Sequence, residues 1–281
     1  MSAITSEITV PIPRRPVRRS SASVAAILAG RRFALTARTP RELLVPLLTP
    51  VLFALVIAPA LKKALHTSAS YESYVAVGTI GLLIPLNTMF SGISVLVDRE
   101  SGARRELLAA PIFRPLLVVG NLLVAMATTA LQVGVLLGFA VLRRIHFHVG
   151  GSGLLWFLAA ALLFTIAMYG IAETLAARVP RSEEYIARLP AIAIVPWFLA
   201  GSLFPITSLP LVLAWFARFL PLTHALALMR WGLLHDSSGL QNIWRTTNTT
   251  AMASMSLAVV AAFAVLMTTV SIRVFARSAV Q

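Results

Sequence analysis

Apolar positions along the chain come in long unbroken blocks, separated by short charged segments. Six blocks stand out, at about 43–61, 74–97, 115–142, 152–177, 188–207 and 249–272. Runs of roughly twenty apolar residues are long enough to cross a hydrocarbon layer of about 30 Å as helices. The pattern therefore predicts an all-α membrane protein with six transmembrane helices. Pro46, Pro50, Pro59, Pro85 and Pro196 fall inside these blocks. They predict kinks or local openings, which a bundle tolerates when neighbours satisfy the freed backbone groups. The stretch "SLPLVLAWFARFLPLTHALALMRWGLLH", residues 208–235, is apolar but broken by Pro210 and Pro221 and marked by Arg218 and Arg230. It reads as one or two short re-entrant helices between spans five and six.

Residues 1–21 are rich in Ser, Pro and Arg, and their composition predicts a disordered tail. Residues 22–42 intersperse Val24, Ile27, Leu28, Phe33 and Leu35 with Arg31, Arg32 and Arg38. That spacing predicts an amphipathic helix lying in the membrane interface, its arginines toward the head groups. No compact apolar core with a small-residue cleavage site precedes the first block, so the first span is expected to remain in the mature protein. The remainder, 22–281, is expected to form a single transmembrane domain.

Composition agrees with the pattern. The chain of 281 residues is 58% hydrophobic and 12% charged, with mean hydropathy +0.85, against about 25% charged in soluble domains. Its net charge of +14 does not indicate a nucleic-acid partner, because the basic residues are spread over the segments between blocks. Orientation explains them better. With both termini inside, the cytoplasmic segments hold 17 of the 24 basic residues and the outer ones hold 7. This bias predicts an N-in, C-in topology with a cytoplasmic 98–114 loop and an extracytoplasmic 208–235 element.

Motifs for self-sufficient chemistry are missing. The only lysines, Lys62 and Lys63, lie outside any Gly-Lys-Ser/Thr phosphate loop. Glu173 is the one acid within a span, near its predicted cytoplasmic end, where an interfacial pairing with Arg178 is expected. Asn87 and Gln132 are mid-span amides suited to bonding between helices. His146 and His148 lack a nearby carboxylate, and there is no cysteine, so no metal site is expected. Gly134 and Gly138 form a GxxxG, which predicts a close helix contact. No catalytic set emerges. The chain reads as a pathway without its own engine, and not as an enzyme.

One loop stands apart. "DRESGARRELLAAPIFRP", residues 98–115, packs three acids (Asp98, Glu100, Glu106) and four arginines (Arg99, Arg104, Arg105, Arg114) between two apolar blocks. Glu100 and Arg104 are spaced i,i+4. Leu107, Leu108, Ile112 and Phe113 supply an apolar side, and Pro111 would end a helix. A bare solvated turn would need fewer apolar residues in its second half.

Three stretches in order resemble a known family. "TPRELLVPLLTPVLFALV" (39–56) resembles the beginning of its first span. "DRESGARRELLAAPIFRPLLVVGNLL" (98–123) resembles its coupling segment. "AGSLFPITSLPLVLAWFARFLPLTHALALMRWGLL" (200–234) resembles its signature around span five. The family is the ABC-2 type permease, the membrane-spanning subunit of bacterial ABC exporters of the daunorubicin-resistance and polysaccharide-export kind. One departure is Asn121, where relatives often carry lysine.

The resemblance implies a permease in the bacterial cytoplasmic (inner) membrane. It would dimerise with an identical or paralogous permease and dock two cytoplasmic ATPase subunits, which would bind the ATP and Mg. This chain would bind no cofactor and no metal. Glu100, Gly102, Arg104, Arg105, Glu106 and Leu107 would form the coupling helix. Phe204, Pro205, Pro210, Pro221 and Arg230 would form the outer gate. Asn87, Phe90 and Trp197 are candidates for lining the substrate pathway. The cargo would be a hydrophobic or amphipathic drug, lipid or lipid-linked glycan. A self-contained secondary transporter or channel is the alternative, and would follow an ion gradient without needing an ATPase.

Overall fold

The computed structural model describes residues 20–64, 70–102, 115–145 and 147–278, and every regular element among them is helical. Helix α1 (Ser21–Arg38) starts at Ser20, whose Oγ accepts from the Ser23 amide at 3.2 Å, so a side chain occupies one of the orphan donors of the first turn. Helix α2 (Arg41–Leu52) continues through a π-turn, Phe53–Ile57, into α3 (Ala58–Ala64). Then come α4 (Ser70–Glu100), α5 (Pro115–Leu142) and α6 (Gly151–Arg178). The short α7 (Ser182–Leu189) passes through a second π-turn, Pro190–Ile194, to α8 (Val195–Leu199). Helices α9 (Leu211–Phe219), α10 (Pro221–Leu234), α11 (Ser238–Trp244) and α12 (Thr249–Ser278) complete the chain.

Among the described residues, four helices are long and apolar enough to cross a membrane: Tyr71–Glu100, Pro115–Leu142, Gly151–Arg178 and Thr249–Phe275. They correspond to the second, third, fourth and sixth apolar blocks. The bent pair α9–α10, at 79°, raises the number to five if it is taken as one span. The first block forms a shorter apolar helix, Leu44–Ala60. The fifth is divided among α7, a π-turn, α8 and a 3-10 turn at Ile206–Ser208. Proline is the physical reason in both. It lacks an N–H and crowds the carbonyl four residues back, so the helix widens or stops. Pro50 and Pro59 bracket the first π-turn, while Pro190 opens the second and Pro196 follows it.

Helix α6 is the hub, packing on α12, α10 and α4, while α1 lies along α5. Close approach is bought with glycine. A Cβ on Gly153 would lie 2.4 Å from the Gly232 carbonyl oxygen, and one on Gly232 would lie 2.5 Å from that of Gly153. Gly170 lets α6 meet α12 at Met267, and Gly120 lets α5 meet α1 at Leu28. Among the described residues of this chain nothing packs on Gly134 and Gly138: a Cβ on either meets nothing within 4 Å. Spacing creates a smooth strip, but only the packed neighbours decide what lies against it.

Candidate functional site

Three consecutive residues at the end of α4 bind three different parts of the fold. Asp98 Oδ2 stands 3.1 Å from Arg32 Nη1 of α1, with both side chains largely buried. Arg99 donates to the carbonyls of Ala176 (3.1 Å), Val179 (2.6 Å) and Pro180 (2.9 Å). These carbonyls lie at and just beyond the C-terminus of α6, where four backbone acceptors lack helical partners and the dipole favours a cation. Glu100 Oε1 accepts from Ser182 Oγ at 2.9 Å, the first residue of α7. Gly102 then takes φ +80, the left-handed geometry that commonly ends a helix. The chain leaves α4 at this point, toward residues 103–114. Arg104, Arg105, Glu106 and Leu107 lie outside the described residues.

The inward turn of Arg32 departs from the expectation that all arginines of α1 face the head groups. Arg31 and Arg38 are exposed, while Arg32 is 7% exposed. It shares its buried face with Ala25 and Thr36, a helical spacing that could have flagged it. Ile27, Phe33 and Leu35 remain exposed on the other side. No sequence signal distinguishes Arg99 from its neighbours. Its role appears only when α6 ends beside it.

Two clefts lie near this cluster. One, of about 360 Å³, is lined by Arg32, Thr36, Asn87, Phe90, Ser91, Ser94, Val124 and Thr128. Asn87 Nδ2 donates to Thr129 Oγ1 at 2.6 Å and Thr128 Oγ1 at 3.2 Å, linking α4 to α5. The other, of about 450 Å³, includes Arg31, Asp98, Asn121, Glu173 and Phe275. Glu173 is buried and accepts from the Tyr169 hydroxyl at 2.8 Å, whereas Arg178 is exposed. Nearby, the Tyr185 hydroxyl donates to the Met89 carbonyl at 2.9 Å. Burial, followed by the field of Glu173, pushes the Tyr185 phenol up, so it remains a donor. Trp197 joins neither cleft. It is buried and donates Nε1 to the Gly78 carbonyl at 2.7 Å.

The opposite end of α4 carries a second polar knot. Arg230 of α10, 3% exposed, lies 3.4 Å from the centroid of the Tyr74 ring and donates to the Ser202 carbonyl at 2.9 Å. Tyr74 donates its hydroxyl to the Gly201 carbonyl at 2.8 Å. Gly201 has φ +80, which lets the chain turn beyond α8. Pro205 precedes the 3-10 turn, Pro210 caps α9, and Pro221 takes the first position of α10, where a missing N–H costs nothing. Phe204 is 38% exposed and does not join the buried knot. Leu211, Val212, Trp215, Phe216 and Phe219 of α9 are all exposed. His224 is buried with both ring nitrogens engaged, Nδ1 with Ser256 Oγ and Nε2 with the Arg218 carbonyl. No cluster of metal-ligating side chains occurs among the described residues.

The chain shares sequence with known proteins. The sequence profile described as ABC-2 type transporter matches residues 24–234. The chain is 29% identical over 164 residues to Nodulation protein J of Rhizobium leguminosarum bv. trifolii, covering 57% of this chain and 61% of that protein. It is 27% identical over 164 residues to Nodulation protein J of Rhizobium leguminosarum bv. viciae, covering 57% and 62%. The match thus spans about three fifths of the length of these relatives.

Proposed function

The chain belongs to the ABC-2 type transporter family, a multi-pass membrane component of transport, and on that premise we propose that it is the permease subunit of an ATP-driven exporter. The six apolar blocks would be six spans in the bacterial inner membrane, and the arginine distribution favours both termini on the cytoplasmic side. Residues 1–21 would be a disordered tail ahead of one transmembrane domain. Two such permeases, identical or paralogous, would receive two separate ATPase subunits carrying ATP and Mg. The cargo would be a hydrophobic or amphipathic drug, lipid or lipid-linked glycan. Pro205, Pro210, Pro221, Phe204 and Arg230 would shape the outer gate, and Asn87 and Phe90, which share a cleft, would meet cargo more readily than the packed Trp197.

The observation that carries the reading is the junction at Asp98, Arg99 and Glu100. A displacement of the 103–114 segment by a partner would pull on α4 and, through these contacts, on α1, α6 and α7 together. Elements packed at high density transmit such shifts instead of absorbing them. Gly102, Arg104, Arg105, Glu106 and Leu107 would present the docking surface itself, with Glu100 at its root.

The test is purification in mild detergent from the native membrane. An ATP-binding subunit and a second permease should co-purify, and the permease should stimulate that subunit's ATP hydrolysis. Glu100→Ala, or Arg104→Ala with Arg105→Ala, should abolish the stimulation while membrane insertion persists. Full stimulation by these variants would rule out the coupling assignment.

A further inference from the structure

Arg230 is a buried cation that the protein satisfies only in part. A guanidinium is permanently charged and offers five N–H donors, and burying it uncompensated is expensive. Among the described residues only Nη2 meets acceptors, the carbonyls of Ser202 at 2.9 Å and Tyr74 at 3.4 Å, and the Tyr74 ring covers one face. Nε is buried with no hydrogen-bond partner. No carboxylate among the described residues forms an ion pair with Arg230. The field of Asp236 favours the Arg230 charge, but its carboxylate makes its hydrogen bond elsewhere, accepting from the Ser238 amide at 2.9 Å.

A cleft of about 300 Å³ adjoins this residue. Of its polar lining groups, the Tyr74 and Thr223 hydroxyls are committed to the carbonyls of Gly201 and Ala217. The Ser238 hydroxyl and the Asn242 amide remain as donors beside Arg230. No carboxylate lines the cleft among the described residues. A fixed positive charge and two neutral donors at an open cleft suit an oxyanion, because charge-assisted bonds to guanidinium are strong and geometrically selective.

We infer that the cleft formed by Arg230, Ser238 and Asn242 is an oxyanion-binding site of the phosphate class, filled by a phosphate head group or by free phosphate. Tyr74 and Asp98 are 24 residues apart on α4, about 36 Å along a helix, so this site lies at the far end from the Asp98 cluster. An anion bound here would engage Arg230 from the cleft side and clamp α4, the 200–206 turn, α10 and α11 together.

The full chain, purified in a phosphate-free maltoside detergent, is titrated calorimetrically with inorganic phosphate and separately with a short-chain phosphatidic acid. Saturable binding of either probe is expected. Phosphate binding by itself identifies a soluble oxyanion site. Binding of the phosphatidic acid alone identifies a head-group site. Arg230→Lys keeps the charge but loses the fork, and should weaken binding about tenfold or more. Ser238→Ala with Asn242→Ala leaves the buried knot intact and should weaken binding about fivefold to thirtyfold; this variant decides the matter if the lysine variant misfolds. No saturable binding of either probe overturns the inference. So does wild-type affinity in the Ser238/Asn242 variant, and either result would leave Arg230 as a structural pin.

Discussion

Arg32 Nη1 and Asp98 Oδ2 lie 3.1 Å apart and join the N-terminal helix α1 to the last turn of α4. The pair is sheltered, with side chains 9% and 18% exposed, so it is neither a screened surface bridge nor a fully desolvated one. Its main effect is to fix where α1 sits against the root of the 98–114 loop. Removing one partner leaves the other sheltered and unmatched, which is the costly state.

Arg32→Ala or Asp98→Ala should therefore lower stability by about 1–3 kcal/mol. The exchanged pair Arg32→Asp with Asp98→Arg should recover part of that loss. Thermal unfolding in detergent, analysed as a double-mutant cycle, checks the coupling. Additive single losses would show that the two residues act independently.

Arg99→Ala should uncap the end of α6 and cost about 1–3 kcal/mol, because three carbonyls lose a charged donor. Arg99→Lys should fall between alanine and wild type, since a single ammonium cannot match the planar fork. Hydrogen exchange at 176–182 should rise in the alanine variant ahead of any global change.

Gly232→Ala should destabilise by about 1–3 kcal/mol, since its Cβ would lie 2.5 Å from the Gly153 carbonyl oxygen. Gly134→Ala and Gly138→Ala face open space, and should leave unfolding unchanged or slightly later, alanine being the better helix former. Equal damage at all three positions would contradict the packing of α6 on α10.

Gly102→Ala should cost about 1–2 kcal/mol for a different reason. Nothing lies within 4 Å of a Cβ there, but φ is +80, and L-residues pay for the left-handed region. Gly102→Asn should be milder than Gly102→Ala. Both can be read from thermal unfolding.

The prolines show how legibility depends on what a residue does locally. Pro210 marks the start of α9 and Pro221 the break between α9 and α10, because a missing N–H acts on its own helix. Pro46, Pro50 and Pro59 likewise mark an irregular first block, although the π-turn they flank has no signature of its own. The GxxxG at Gly134 and Gly138 behaves oppositely, since a contact motif depends on a second surface and no described residue of this chain supplies one. Asn87 suited bonding between helices by its chemistry alone, but its partners Thr128 and Thr129 are set by how α4 and α5 align.

Sequence alone determined the solvent in which this chain folds and the family to which it belongs. Block length, arginine bias and three ordered stretches are local or one-dimensional properties, and they survive without coordinates. Tertiary structure decided which charges matter. Arg32 turns inward among arginines that face out, Arg99 finds the end of α6, and Arg230 is buried over Tyr74. Each of these depends on a group 66 to 156 positions away or on a helix end brought alongside. The free energy of a buried charge is set by those neighbours, and neighbours across the fold leave no trace in the spacing of a single helix.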